Sequence, residues 1–222
     1  MEQYKLRIVH DTFQPETQLV LAPMVRVIYC RSGCITVISN GVTTTLEEDN
    51  AVATTEAVTI QCATASSAVW RWETVPADHG DTDTLSMADG VNSELKGSYP
   101  IPLKQDENYA IRCDRVAFPA GGIAYTHTHA APGVRCQHTG ELFLDSLGQQ
   151  WTATPGDTWL ERGPDHVFAK AWDKTPAHFI RVMLIPQPYF GRSTLSYMLA
   201  EDAEKPKEQQ YHRYLEVPIQ LS

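Results

Sequence analysis

The chain has 222 residues, 42% of them hydrophobic, with a formal net charge of −9 and a pI near 5.3. That length suffices for one large domain or two small ones, each with a buried core. The acidic balance argues against a concentrated basic face for nucleic acid, and no run of eighteen apolar residues is present to span a membrane. The opening Met-Glu-Gln-Tyr-Lys-Leu-Arg alternates polar and apolar residues and lacks the apolar core of a signal peptide. Five cysteines (Cys30, Cys34, Cys62, Cys113 and Cys136) are odd in number and form no CxxC pair, as expected of reduced thiols used as small apolar fillers. A cytoplasmic protein is the expectation.

Along the chain, β-branched and aromatic runs of four to eight residues alternate with glycine, proline and asparagine turns, so strands are expected nearly throughout. Residues 1–75 form a first unit. Residues 76–100 are polar and acidic, with Asp78, Asp81, Asp83, Asp89 and Glu94, and read as a linker with a turn around Met87. Residues 101–190 form a second unit. Residues 191–222 hold the one helical candidate, Thr194 to Glu204, and an aromatic tail expected to dock on this or another subunit. Exposed sheet edges and that tail make a homodimer plausible.

The two units are copies. At an offset of 107, Arg31-Ser-Gly33 falls on His138-Thr-Gly140 and Ser39-Asn-Gly41 on Ser146-Leu-Gly148. With about two residues of slippage, Ala68-Val-Trp-Arg-Trp-Glu73 answers Ala177-His-Phe-Ile-Arg-Val182.

The second copy carries the chemistry. In Tyr125-Thr-His-Thr-His129 the two histidines are spaced i, i+2, so on a strand both point to one face. His166 follows the Pro155-Gly156-Asp157 turn and can join them if the chain folds back antiparallel, giving a three-imidazole metal site. The plainer alternative is a hydrogen-bonded core histidine. At the same offset His127, His129 and His166 project onto Val20, Ala22 and Thr59, so the first unit is expected to be filled by apolar packing instead.

On these residues the chain resembles the cupins. Their first motif, HxH with a glutamate and then a glycine, is matched by His127, His129 and Gly140; their second, PxG with a trailing histidine, by Pro155, Gly156 and His166. The glutamate is missing, since its place falls at Gly133 or Val134. The resemblance implies an all-β protein of two tandem cupin (double-stranded β-helix, jelly-roll) barrels. It also implies one divalent transition metal in the second barrel, held by His127, His129 and His166. Iron is favoured, with manganese, nickel, zinc or copper as alternatives.

Three protein ligands leave open positions, as in a catalytic site. A doubly charged centre with no carboxylate ligand favours a bidentate anion. With iron and dioxygen that gives oxidative cleavage, and the resemblance to three-histidine cupin dioxygenases implies an oxidoreductase acting on a small anionic or hydroxylated compound. A metal-dependent isomerase or lyase using the metal as Lewis acid, and a non-catalytic small-molecule-binding cupin, are the competing readings. Around the centre, Arg135 is expected to fix the substrate anion or to pair with Glu161 or Asp157. Gln137 is a weak fourth ligand or a substrate donor. Tyr125, two residues before the pair, is placed by alternation on the same face to orient the reacting group. Trp159 lines the pocket and Glu161 is a candidate general base.

Overall fold

The computed structural model describes residues 4–81, 85, 88–104 and 107–221. Asp83 and the turn expected around Met87 lie outside the described residues. No helix among them is long and apolar enough to cross a membrane. The chain forms two compact units, one running to Leu103 and joined by Leu221, the other spanning Lys104–Gln220.

The first unit comprises β1 (Tyr4–Phe13), β2 (Thr17–Leu21), β3 (Val25–Ser32), β4 (Cys34–Ser39), β5 (Val42–Glu47), β6 (Asn50–Thr54), β7 (Val58–Cys62), β8 (Ser67–Pro76) and β9 (Val91–Ile101). They form two antiparallel sheets, ordered β6-β3-β8-β1-β9 and β2-β7-β4-β5. Period-two alternation sends Leu19 and Leu21 of β2, Val58 and Ile60 of β7, and Ile28 and Val69 of the other sheet into one apolar cluster. Between β4 and β5 the chain reverses through Asn40-Gly41, both at positive φ, the conformation of a two-residue hairpin turn.

The second unit comprises β10 (Tyr109–Phe118), β11 (Ile123–His129), β12 (Gly133–Thr139), β13 (Leu142–Ser146), β14 (Gln149–Ala153), β15 (Thr158–Glu161), β16 (Val167–Ala171), β17 (Ala177–Pro186), β18 (Leu195–Tyr197) and β19 (Gln210–Ile219). A single-turn helix α1 (Ala200–Ala203) lies between the last two strands. The sheets are ordered β15-β12-β17-β10-β19 and β14-β13-β16-β11-β18. At one end of this unit the interior is apolar, built on Phe118, Leu142, Leu144, Trp159, Val167 and Phe179.

The units repeat each other down to their irregularities. Leu147-Gly148 makes the positive-φ turn that Asn40-Gly41 makes in the first copy. The register shift between Cys30 and Ser32 recurs between Gln137 and Thr139, and that between Ile8 and Val9 recurs between Cys113 and Asp114. Arg7 corresponds to Arg112 and Arg71 to Arg181, so the offset drifts from 105 to 110 along the copy.

Two expectations are corrected here and a third, the docking of the tail, is narrowed to one of its alternatives. The last ten residues of the stretch read as a linker, from Val91 on, belong to β9, hydrogen-bonded to β1 at the sheet edge. The tail is β19, which pairs with β10 of its own unit. Of the helix expected over Thr194 to Glu204 only Ala200–Ala203 is helical, because Leu195–Tyr197 adds to the edge of β11 and no side chain caps the helix start. In the first copy Val20 and Ala22 are exposed. The interior positions of β2 belong to Leu19 and Leu21, one residue out of phase with the projection.

Candidate functional site

A β-bulge sets the geometry of β11. Ala124 faces Ala169 of β16, yet His127 faces Val167, so β11 carries one extra residue between these pairs. Ala124, His127 and His129 are buried while Tyr125 and Thr126 are both half-buried. Expected on the metal face, Tyr125 instead lies with its ring under the Lys205 ammonium, 4.4 Å away. Its carbonyl oxygen is 2.7 Å from His127 Nδ1. That contact puts the ring proton on Nδ1 and leaves the lone pair on Nε2.

His129 is held from both sides. Its Nε2 is 3.3 Å from Glu161 Oε2, and its Nδ1 is 3.4 Å from the buried Thr194 hydroxyl. The rings of His127 and His129 stand edge to face, 4.9 Å apart. Burial lowers the pKa of both imidazoles, that of His129 to about 3, so both are neutral at physiological pH.

The missing motif glutamate has a substitute from the next strand. Gly133 is the Cα partner of Glu161, whose carboxylate is thereby brought to His129. Burial by itself would raise the pKa of this acid, but the Arg135 charge and the His129 hydrogen bond hold it well below the usual carboxylate range. Arg135 Nη2 donates to Glu161 Oε2 at 2.5 Å, Arg135 Nη1 donates to the Gly133 carbonyl, and Trp159 Nε1 donates to Glu161 Oε1 at 3.0 Å. Of the alternatives for Arg135, the structural pair with Glu161 is the one formed. Burial lowers the Arg135 pKa to about 10, which leaves it charged. Both Glu161 oxygens are engaged, which does not suit the general-base role expected of it.

His166 does not join the pair. Val167 is the Cα partner of His127 and shares its face, so His166, one residue earlier, points to the opposite side of the sheet. It is half-buried, and its carbonyl accepts from Ser146 Oγ at 3.0 Å. Gln137 donates through Nε2 to the Thr139 carbonyl at 2.8 Å, and its buried Oε1 has no hydrogen-bond partner among the described residues. Trp159 packs edge-on against Phe179, 5.3 Å between centroids, as part of the apolar end. Among the described residues no three of His, Cys, Asp and Glu assemble into a ligand set. The donor chemistry agrees. The third imidazole is out of phase, and the nearest carboxylate is committed to a guanidinium, an indole and His129. These residues, as arranged, do not fit the expected metal.

A cleft of about 700 Å³ opens onto His129 and Thr194. Its walls carry four cations, Arg112, Arg181, Lys207 and Arg213, against one acid, Asp114. Pairing explains how they share one face: Arg135, Arg181, Asp114 and Arg213 are successive cross-strand partners along β12, β17, β10 and β19. Arg181 donates to Asp114 Oδ2 at 3.0 and 3.1 Å and lies over the Tyr211 ring. Arg112 pairs with Glu216 at 2.6 Å. Lys207 rests over the Tyr197 ring, 5.6 Å away, with no carboxylate partner among the described residues. These cleft residues lie outside the histidine motifs. The signal for them was an arginine inside an apolar strand, as in Ala110-Ile-Arg-Cys-Asp114 and Phe179-Ile-Arg-Val-Met183, which has to find a partner when buried.

No protein-family model matches the chain, and no curated protein matches it in sequence. Solved structures do. An oxalate decarboxylase from Lactobacillus farciminis, in a formate complex, aligns at TM-score 0.64 and 10% identity over 90% of this chain and 82% of its own. A salicylate 1,2-dioxygenase from Pseudaminobacter salicylatoxidans aligns at 0.53 and 11% over 80% and 70%. An 11S allergen from Cocos nucifera aligns at 0.59 and 8% over 86% and 82%. The chain has the bicupin fold, all-β with two barrel-like halves. Enzymes and an allergen share that likeness, so it carries the fold and leaves the function to the site.

Proposed function

We propose that the second barrel binds a small organic anion, a compound bearing one or two carboxylates, in the cleft beside His129. The observation that carries this is the excess of cations in the cleft wall, four against Asp114, in a concavity that also presents Tyr197, Tyr211 and Thr194 as hydrogen-bonding groups. Lys207 supplies positive charge with no carboxylate partner among the described residues, while Arg213 is shared with Glu216 at 3.3 Å and Asp114 at 3.8 Å. Arg181 lines the cleft and is fixed on Asp114 through Nε and Nη2, so that pair leaves its Nη1 N–H groups for a carboxylate. The role expected for Arg135 therefore passes to Arg181. By their names, two of the structural neighbours act on carboxylates, oxalate and salicylate. That is consistent with this reading, although identities near 10% do not transfer a substrate.

Of the readings drawn from the sequence, small-molecule binding is the one these residues support. The dioxygenase and the Lewis-acid isomerase or lyase both require a metal, which the arrangement of His129, His166 and Glu161 does not suit. Titration calorimetry of the full chain with oxalate, malonate, succinate and salicylate tests the proposal. Micromolar binding that weakens at least about tenfold in Lys207→Met and more in Arg181→Met is the expected result. No binding of any carboxylate, or binding indifferent to both substitutions, contradicts it.

A further inference from the structure

The residues around His127 and His129 raise a question that the anion cleft does not answer: what takes the place of a cation there. We propose that Arg135 is the resident cation of the second barrel, a guanidinium fixed on Glu161 that occupies the position a divalent metal would need. This inference does not depend on the anion reading, because it concerns the floor of the barrel and not the ligand in the cleft.

Four observations converge on it. Arg135 is wholly buried, with Nη2 on Glu161 Oε2 at 2.5 Å and Nη1 on the Gly133 carbonyl. A fully buried arginine is stable only with a counter-charge, and Glu161 is the carboxylate paired with it. That same carboxylate oxygen is 3.3 Å from His129 Nε2, so guanidinium and imidazole converge on one atom. Gly133, where the motif acid would stand, leaves room for the arginine. A Cβ there would lie 2.7 Å from both Met183 Cγ and the Val182 carbonyl and 3.1 Å from Arg135 Nη1, so β17 bars a side chain at 133 and the guanidinium lies against the space left open. Finally, His127 keeps Nε2 as a lone pair through the Nδ1 contact with the Tyr125 carbonyl. Two imidazoles 4.9 Å apart and a carboxylate 3.3 Å from one of them therefore neighbour each other without forming a ligand set, and Arg135 holds that carboxylate.

Removing the guanidinium should release Glu161 to the imidazoles. The probe is Co²⁺, read by its visible absorption and by calorimetry, on the full chain with cooperative unfolding as the check of fold. Wild type should show no stoichiometric site. Arg135→Met should bind one equivalent, roughly 10–100-fold more tightly than wild type, the range over which groups contacting metal ligands change affinity. Adding Glu161→Gln to Arg135→Met should abolish the gain, which a merely structural role for Arg135 would not require. The inference is overturned if wild type binds one equivalent of Co²⁺ that disappears in His129→Ala, or if a folded Arg135→Met gains nothing. Should Arg135→Met fail to fold, the wild-type titration with its His129→Ala control decides.

Discussion

Glu73 in the first unit and Glu161 in the second meet the same physical problem, a carboxylate removed from water and held by arginine. Glu73 takes Arg7 at 3.1 Å, Arg26 at 3.0 Å and Arg71 at 2.7 Å, all of them buried. Replacing it with glutamine leaves three guanidiniums with one fewer counter-charge, and Glu73→Gln should cost about 3–5 kcal/mol in urea denaturation. Burial alone would raise the Glu73 pKa, but the charges of Arg71, Arg26 and Arg7 outweigh it and the net shift is downward. On acidification the unfolded chain takes up this proton first. The stabilisation is therefore complete above the unfolded value of about 4.3 and drains away as pH falls toward the folded value. Denaturation at stepped pH should show that acid limb in wild type and a shallower one in Glu73→Gln. At this scale the sequence was legible where period two holds. His127 and His129 do share a buried face. It was misleading where one extra residue enters: the bulge after Ala124 turns Tyr125 out, and the register at Val167 turns His166 out. Alternation alone does not reveal a bulge.

At the scale of elements, the edge strands were the hardest to read. β9 and β19 carry polar residues on both faces because one edge of each is unpaired, so they lack the alternation of a half-buried strand and looked like a linker and a tail. The central strands were legible as apolar runs, and the arginines within them marked buried ion pairs. β19 also brings Tyr211 and Arg213 to the cleft. Truncation after Gln209 should therefore both expose the edge of β10 and abolish carboxylate binding, with light scattering and calorimetry as the readouts. On β12, Gly133→Ala forces a Cβ against Met183 and the Val182 carbonyl. It should destabilise the protein by about 1–3 kcal/mol, as overpacking does, with loss of near-ultraviolet dichroism on heating at a lower temperature than wild type.

For the whole molecule, duplication is visible in the turn register of the sequence alone. It had the right spacing because the Asn40-Gly41 and Leu147-Gly148 turns occupy equivalent places. The copies have diverged in their interiors. At the strands carrying the histidines in the second unit, the first is closed by Leu19, Leu21, Val58 and Ile60. The second keeps a charged end and an open cleft. An overall charge of −9 makes that cationic cleft a local feature working against the field of the rest of the chain. Carboxylate affinity should accordingly fall as ionic strength rises through the range in which the Debye length shrinks from about 10 Å to about 3 Å.

The measurement closest to the central claim is calorimetric titration of a dicarboxylate into the full chain after chelator treatment, repeated after adding back iron, manganese or zinc. The account predicts the same affinity in every case, because Arg181, Arg213 and Lys207 supply the charge that binds the anion. Binding that appears only when a divalent metal is restored would contradict it and return the histidine pair to the centre of the function.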